Sequence, residues 1–131
     1  MDFNYPKYQK LKSKKTIDLL FSDGKSVSKF PLRLVYTESS LGLDISKNEK
    51  LKIGVSVSKK NFKKAVDRNY FKRLLRESYR LNKHLLLDNI QKNYAIMFFY
   101  QTRDRLSFED INAKTIQLFE KFLKVESENT A

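Results

Sequence analysis

One stretch of the chain, residues 65–80, carries a row of side chains that suits the binding of a polyanion. On an ideal helix of ~3.6 residues per turn, its polar and basic residues fall within one arc of roughly 140°. That arc holds Arg68, Asn69, Lys72, Arg73, Arg76 and Arg80. Guanidinium groups match the geometry of phosphate, and an asparagine amide can bond a base edge or a phosphate. The opposite arc is apolar and predicts a helix that is buried on one side; it holds Tyr70, Phe71, Leu74, Leu75 and Leu81.

Three interpretations of this helix are open. A solvated structural helix is disfavoured, because cations gathered in one arc repel each other. A helix on a membrane surface is disfavoured, because the apolar arc is needed by a core. A helix that binds nucleic acid is favoured. We expect Asp67 and Glu77, which lie within the helix, to tune its charge or cap its first turn rather than hold a metal.

The charge of the whole chain favours the same interpretation. The 131 residues include 27 Lys and Arg against 15 Asp and Glu, a net charge of +12. Residues 59–80 contain nine basic and two acidic residues, whereas residues 101–131 contain five basic and six acidic ones. A positive region beside a near-neutral end is typical of a surface that faces a polyanion. A merely solubilising surface is the weaker alternative, because dispersed charge serves solubility better.

The composition excludes several kinds of active site. With no cysteine, the chain has no disulfide, zinc–thiolate site or cysteine nucleophile, and its single His84 excludes a two-histidine nuclease. It contains no glycine-rich phosphate loop, nucleophile elbow or HExxH motif. We therefore expect neither a catalytic residue nor a metal site in the protein. No apolar run approaches the ~20 residues of a membrane span, so we expect a cytoplasmic protein without a membrane partner.

The elements that position the basic helix are predicted in the order α-β-β-α-α-β-α. Alternating apolar and polar residues predict two strands, and a continuous apolar run predicts a third strand buried on both faces. The result is one domain, residues 1–131, of the α+β class: an α/β sandwich in which helices pack on a small central β-sheet. The predicted segments are a flexible arm at 1–12, helices at 13–22, 65–80, 82–91 and from 107, strands at 32–37, 51–58 and 94–100, and a frayed tail at 125–131.

One face of the two alternating strands suits an extended anionic ligand. Its side chains are small or cationic and would form a shallow trough. An ordinary solvated sheet face is an equally good interpretation of the alternation alone. The residues of this face are Arg33, Val35, Thr37, Lys52, Gly54, Ser56 and Ser58.

The motif Ser56-Val57-Ser58-Lys59-Lys60, followed by Ala65-Val66-x-Arg68-Asn69-x-x-Lys72-Arg73-x-x-Arg76-Glu77, resembles the signature of the protein subunit of bacterial ribonuclease P. The resemblance runs from about Leu11 to Phe122 and includes Phe21-Ser22-Asp23-Gly24-Lys25. It implies a left-handed β-α-β crossover, against the usual right-handed rule. It also implies an accessory subunit of the endoribonuclease that removes the 5′ leader from precursor tRNA, with catalysis and Mg²⁺ in the RNA subunit.

The resemblance and the helical arc together assign roles to individual residues. Contacts to the catalytic RNA are expected from Lys59, Lys60, Arg68, Asn69, Lys72, Arg73, Arg76 and Arg80. A cleft for the single-stranded leader is expected from Phe21, Arg33, Lys52, Ser56 and Ser58.

Three positions depart from the family pattern. Tyr70 stands where a second arginine is usual, and we expect it to pack on the apolar side; Ile17 and Val35 replace aromatics that are frequent in the cleft. A general RNA-binding or ribosome-associated module and a self-sufficient nuclease remain the alternative functions.

Overall fold

The computed structural model describes residues 24–38, 51–90 and 94–129, which form a four-stranded sheet with two long helices packed on one face. The elements are β1 Lys25–Lys29, β2 Leu32–Glu38, β3 Leu51–Val57, α1 Ala65–Leu87, β4 Tyr94–Tyr100 and α2 Phe108–Asn129. The predicted α+β class is confirmed. The predicted arm at 1–12, the helix at 13–22 and the cleft residue Phe21 lie outside the described residues.

The strand order is β1-β2-β4-β3. β1 pairs with β2, and β2 with β4, in antiparallel fashion, whereas β3 and β4 are parallel. A parallel pair needs a crossover connection, and α1 supplies it between β3 and β4. The basic helix is therefore the crossover element of the sheet. The left-handed sense of this crossover stays a prediction.

The core lies between the sheet and the two helices. Leu34, Ile53 and Phe98 on the sheet are fully buried, as are Phe71 on α1 and Phe119 on α2. Because strand residues alternate between faces, the neighbouring side chains on each strand point to the other face of the sheet. The helices thus cover one face only, within the described part of the chain.

Helix α1 is longer than predicted. It continues unbroken to Leu87. Residues 82–87 of the predicted separate helix at 82–91 therefore belong to the end of α1. Asn82 was taken as a helix start, but its side chain donates hydrogen bonds to the Ser78 carbonyl at 2.8 Å and to Asn112 Oδ1 of α2 at 2.6 Å. The residue therefore joins two helices instead of beginning one.

Helix α2 begins as predicted and ends later. The Asp110 N–H donates to Ser107 Oγ at 3.2 Å, so Ser107 caps the helix. The side of α2 that faces the core is buried and consists of Ile111, Thr115, Leu118, Phe119 and Phe122. The helix runs to Asn129, so the prediction of a frayed tail from residue 125 is wrong for residues 125–129. Glu126 anchors this end by accepting hydrogen bonds from the hydroxyls of Tyr36 at 3.0 Å and Tyr94 at 2.5 Å.

Strand β1 was not predicted. Its five residues contain a single apolar side chain, Val27, and only that residue is buried. One apolar residue gives no alternation for a sequence pattern to detect.

None of the described helices is both long and apolar enough to cross a membrane.

Candidate nucleic-acid interface

Helix α1 buries one side and exposes most of the predicted cations, but the buried side is rotated towards them: Tyr79, which falls between Arg68 and Lys72 on an ideal helix, is fully buried. Phe71, Leu75 and Tyr79 are fully buried against the sheet and α2. Asn69, Arg73 and Arg76 are exposed, and Lys72 and Arg80 are partly exposed. The burial of one side fixes the rotation of the helix, so its cations face away from the core.

The middle of this basic face has no anionic partner within the described part of the chain. The side chains of Asn69, Lys72 and Arg76 make no hydrogen bond or ion pair to any described residue. At the far end, Arg80 binds Glu77 through both its Nε and Nη2 atoms. This hydrogen bonding lowers the pKa of the Glu77 carboxyl. The two acidic residues of the helix therefore do not neutralise its centre, because Asp67 is engaged elsewhere.

Arg68 has a different role from the other cations. Its Nη1 atom donates hydrogen bonds to the carbonyl oxygens of Phe62 and Lys63, both at 2.8 Å. Phe62 is itself buried, with its ring stacked on Phe71 at 4.8 Å between centroids. Arg68 thus ties the segment before the helix to its first turns, and only part of its hydrogen-bonding capacity remains for RNA.

A tight turn at residues 58–61 carries Lys59 and Lys60, both exposed, beside the start of α1. Ser58 organises the turn: its Oγ accepts from the Lys60 N–H at 3.0 Å, and its carbonyl accepts from the N–H groups of Asn61 and Phe62. Ser58 was predicted in the leader cleft. The structure places it just beyond the end of β3, where its side chain stabilises the turn.

The prediction for Tyr70 is wrong. Its side chain is 41 % exposed and does not pack into the core. Its ring meets the edge of Phe71 at 5.1 Å and lies near two guanidinium groups, those of Arg73 at 5.4 Å and Arg105 at 5.8 Å. On the helical wheel Tyr70 lies at one end of the predicted apolar arc, whereas the side of α1 that is buried centres on Phe71, Leu75 and Leu86.

Arg105 was missed by the sequence analysis. It lies in the connection between β4 and α2, and its Nη1 atom donates to Asp67 Oδ1 of α1 at 3.2 Å. Its guanidinium also lies 5.2 Å from the centre of the Phe71 ring. The sequence feature that could have indicated a further basic residue at this site is the pair of arginines in Arg103-Asp104-Arg105. Nothing local indicated that this segment lies beside the basic helix.

The other face of the sheet carries the described residues that were predicted to line the trough, with β4 between β2 and β3. The strand register aligns Arg33, Phe99 and Ser56 in one row across β2, β4 and β3. The next rows hold Val35, Met97 and Gly54, then Thr37, Ala95 and Lys52. Arg33, Lys52 and Ser56 therefore share one face, as predicted, across strands spaced about 4.8 Å apart.

The burial of this face is graded. Val35 and Ala95 are buried, whereas Met97 and Phe99 are only partly buried. The prediction that β4 is buried on both faces therefore holds for Ala95 and not for Met97 or Phe99. Val35 stands where the family often has an aromatic residue. In this chain an aromatic side chain, Phe99, lies near Val35 on the same face.

The two candidate surfaces lie on opposite faces of the sheet and meet at the turn of residues 58–61. β3 contributes Ser56 to the trough and Val57 to the core beneath α1. Lys59 and Lys60 follow directly and lead into the basic helix. The two surfaces are therefore continuous around the β3 edge of the sheet. Among the described residues, no group of three or more His, Cys, Asp or Glu side chains could hold a metal ion.

The fold and this surface define a small α+β protein whose parallel-strand crossover is a basic helix. The sequence model of one family, Ribonuclease P, matches residues 5–123. The chain belongs to this family of ribonuclease P proteins.

Several relatives and structures agree. A ribonuclease P protein component from Porphyromonas gingivalis is 42% identical over 108 residues, which cover 79% of this chain and 74% of that protein. One from Dictyoglomus thermophilum is 31% identical over 119 residues, covering 91% and 92%. The RNase P protein structures from Staphylococcus aureus and Thermotoga maritima each superpose with a TM-score of 0.67 at 19% and 23% identity. They cover 86% of this chain and 93% and 96% of theirs.

Membership places the chain in an endoribonuclease complex that contains an RNA partner and whose general role is tRNA 5′ processing. The resemblance stated from the motif in residues 56–77 is thereby confirmed. The two structural matches are below 25% identity and support the fold alone.

Proposed function

We propose that this chain is the RNA-docking subunit of ribonuclease P, binding the catalytic RNA through α1 and the 5′ leader of precursor tRNA in the trough. The observation that carries the proposal is the unneutralised centre of the basic face. Asn69, Lys72, Arg73 and Arg76 stand side by side on a helix whose other side is buried. A helix fixed in this way presents its cations from a backbone that is already ordered, so only the side chains lose freedom on binding.

The basic face suits a folded RNA backbone. Residues 69–76 span two helical turns, about 11 Å, which places several donors within reach of successive phosphates. Arginine binds phosphate with two parallel N–H groups, and the asparagine amide supplies a neutral donor and acceptor beside them. Lys59 and Lys60 extend the same surface, while Arg80 contributes from its pair with Glu77. Contacts of this kind position an RNA without reading its sequence.

The trough suits an extended single strand. Gly54 and Ser56 on β3 have small side chains, so little projects from this edge of the face. Arg33 on β2 and Lys52 on β3 provide a cation on each side of β4. Phe99 offers the ring on which a base could stack, in the row between Arg33 and Ser56. A single strand can stack a base on this ring, whereas the bases of a duplex are already paired and stacked on one another.

In this proposal the protein contributes no catalytic group. The RNA subunit performs the cleavage and binds most of the Mg²⁺, as the family resemblance implies. The protein aligns the leader with the catalytic RNA in the cytoplasm, which lowers the entropy lost when precursor tRNA binds.

Reconstitution tests the proposal and separates its rivals. The purified chain is mixed with a bacterial ribonuclease P RNA, a precursor tRNA and Mg²⁺, and cleavage is followed at low and physiological salt. We expect the chain to restore cleavage at physiological salt and to cut nothing without the RNA subunit. Binding without stimulation would indicate a general RNA-binding module, and cutting by the chain alone would indicate a self-sufficient nuclease; both results overturn the proposal.

A matched pair of variants locates the surface. The double variant Arg73→Ala, Arg76→Ala removes two cations from the basic face, and we expect the slope of log K against log [salt] to fall by about two. The control is Lys124→Ala, which removes an exposed cation from α2. If both variants bind the catalytic RNA like the parent, the helix assignment is wrong.

A further inference from the structure

Two exposed apolar side chains lie next to each other on α1. Among the described residues, the large apolar side chains that remain exposed are Phe30, Val66 and Tyr70, at 71 %, 70 % and 41 %. Val66 and Tyr70 are one helical turn apart and share a stripe of the helix. Tyr70 is an aromatic ring at the surface of a strongly basic helix, so its environment has the composition of a nucleobase-stacking site.

Two arginines lie near this ring. The Arg73 and Arg105 guanidinium carbons lie 5.4 Å and 5.8 Å from the ring centre, within the range of a cation–π contact. Arg73 belongs to the same helix, while Arg105 comes from the β4–α2 connection and is held by its ion pair with Asp67. The ring thus lies near cations from two separate segments, a setting that suits the phosphate next to a stacked base.

The connection that supplies Arg105 is fixed by the core. The hydroxyl of Tyr100 donates to the Asp104 carbonyl and accepts from the Leu106 N–H at 3.1 Å. The Asp104 N–H donates to Thr102 Oγ1 at 3.1 Å, and the Gln101 N–H donates to the Pro31 carbonyl at 2.8 Å. A connection bound on both sides of Arg105 holds that guanidinium near Tyr70 before any ligand arrives.

We propose that Tyr70, beside Arg73 and Arg105, is a stacking site for one unpaired base of the catalytic RNA. A paired base in an RNA helix has no accessible ring face, so the ligand is a base from a loop, bulge or junction. The leader is the less suitable source, because the trough lies on the opposite face of the sheet. The inference rests on the proposed function, since it takes the RNA that docks on α1 as the ligand.

The salt dependence of binding distinguishes stacking from charge. We measure the affinity of the parent and of Tyr70→Ala for a bacterial ribonuclease P RNA over a range of salt concentrations. Stacking involves no counterion release, so we expect Tyr70→Ala to weaken binding by about tenfold at every salt concentration with an unchanged slope. Tyr70→Phe keeps the ring and should bind within about twofold of the parent. Arg73→Ala is the opposite control and should lower the slope by about one.

A spectroscopic reporter tests the stacking directly. The chain contains no tryptophan, so Tyr70→Trp introduces a unique indole at the proposed site. We expect ribonuclease P RNA to quench its emission, and a fully paired RNA duplex to leave the emission unchanged even where anisotropy shows that the duplex binds.

The outcomes are distinguishable. If the parent neither binds the RNA nor stimulates cleavage, the proposed function and this inference both fail. If the parent does both but Tyr70→Ala binds with equal affinity, or the indole emission does not respond, only the stacking site is overturned. A circular-dichroism melt of each variant checks that the affinity change does not come from unfolding.

Discussion

Arg68 Nη1 donates a hydrogen bond to the carbonyl oxygen of Phe62 across the start of α1, at 2.8 Å. A second bond from the same atom reaches the next carbonyl, that of Lys63. The residue before the helix, Lys64, provides no side-chain cap. The arginine therefore stabilises the segment that leads into α1, although its position in the motif identifies it only as an RNA contact.

This contact predicts that Arg68 contributes to the stability of the fold, whereas Arg76 does not. Arg68→Ala should lower the free energy of unfolding by about 1–2 kcal/mol, because charged hydrogen bonds to two backbone carbonyls are lost at a partly exposed site. Arg76→Ala, on the exposed face, should leave stability within about 0.5 kcal/mol and act on RNA binding alone. Urea titrations of the two variants provide the measurement. Equal stability of the two variants would show that the Arg68 contact is energetically neutral.

The trough predicts a leader-specific defect from filling its edge. Gly54 continues the β3–β4 ladder opposite Met97, and valine is compatible with a strand. In the reconstituted enzyme, Gly54→Val should reduce the preference for precursor tRNA with a leader over tRNA without one by about tenfold, or ~1.4 kcal/mol. Affinity for the catalytic RNA should not change.

The matched control for Gly54→Val is Ser26→Val, which adds the same side chain at the other edge of the same face. We expect this variant to discriminate leaders like the parent. A loss of discrimination in both variants would point to a general disturbance of the sheet and contradict a leader trough.

The end of α2 depends on a single carboxylate. Glu126→Ala removes the acceptor of the buried Tyr36 and Tyr94 hydroxyls and should lower the free energy of unfolding by about 1–3 kcal/mol. Glu128→Ala, at an exposed position two residues on, is the control and should have little effect. Thermal melts and amide exchange in the last turn of the helix measure both. Retention of exchange protection in Glu126→Ala would rule out the anchoring role.

The same pair of tyrosines predicts alkaline destabilisation. Burial, and then the hydrogen bond to Glu126, raise the pKa of both Tyr36 and Tyr94 above the ordinary value of about 10. Above pH 10 the unfolded chain therefore binds fewer protons than the folded one, and the free energy of unfolding falls as pH rises. Each tyrosine contributes up to ~1.4 kcal/mol per pH unit, and the contribution is constant below about pH 9.

Urea unfolding at several pH values between 8 and 11 tests this dependence. Tyr36→Phe removes one of the two protons involved, so its stability should fall less steeply with pH than that of the parent. The double variant Tyr36→Phe, Tyr94→Phe should show a still shallower fall. Parallel curves for all three proteins would contradict the prediction.

The sequence by itself determined the class of the fold and the side of α1 that faces outward. The apolar positions of residues 65–80 recur with the period of a helix and require burial, so the cations between them had to point away. The alternation in β2 and β3 likewise placed Arg33, Lys52 and Ser56 on one face before the strand order was known. The spacing of apolar residues is a property of the local sequence, so it can be recognised without knowing which distant segments pack together.

Only the tertiary structure decided which distant segments meet. Arg105 lies 38 positions after Asp67, and Glu126 lies 90 positions after Tyr36; no local pattern joins either pair. Tyr70 was misassigned for the same reason. It lies at the end of the predicted apolar arc, where the packing of the neighbouring elements decides whether a side chain is buried. Contacts between segments far apart in sequence depend on packing, and packing is set by the whole core at once.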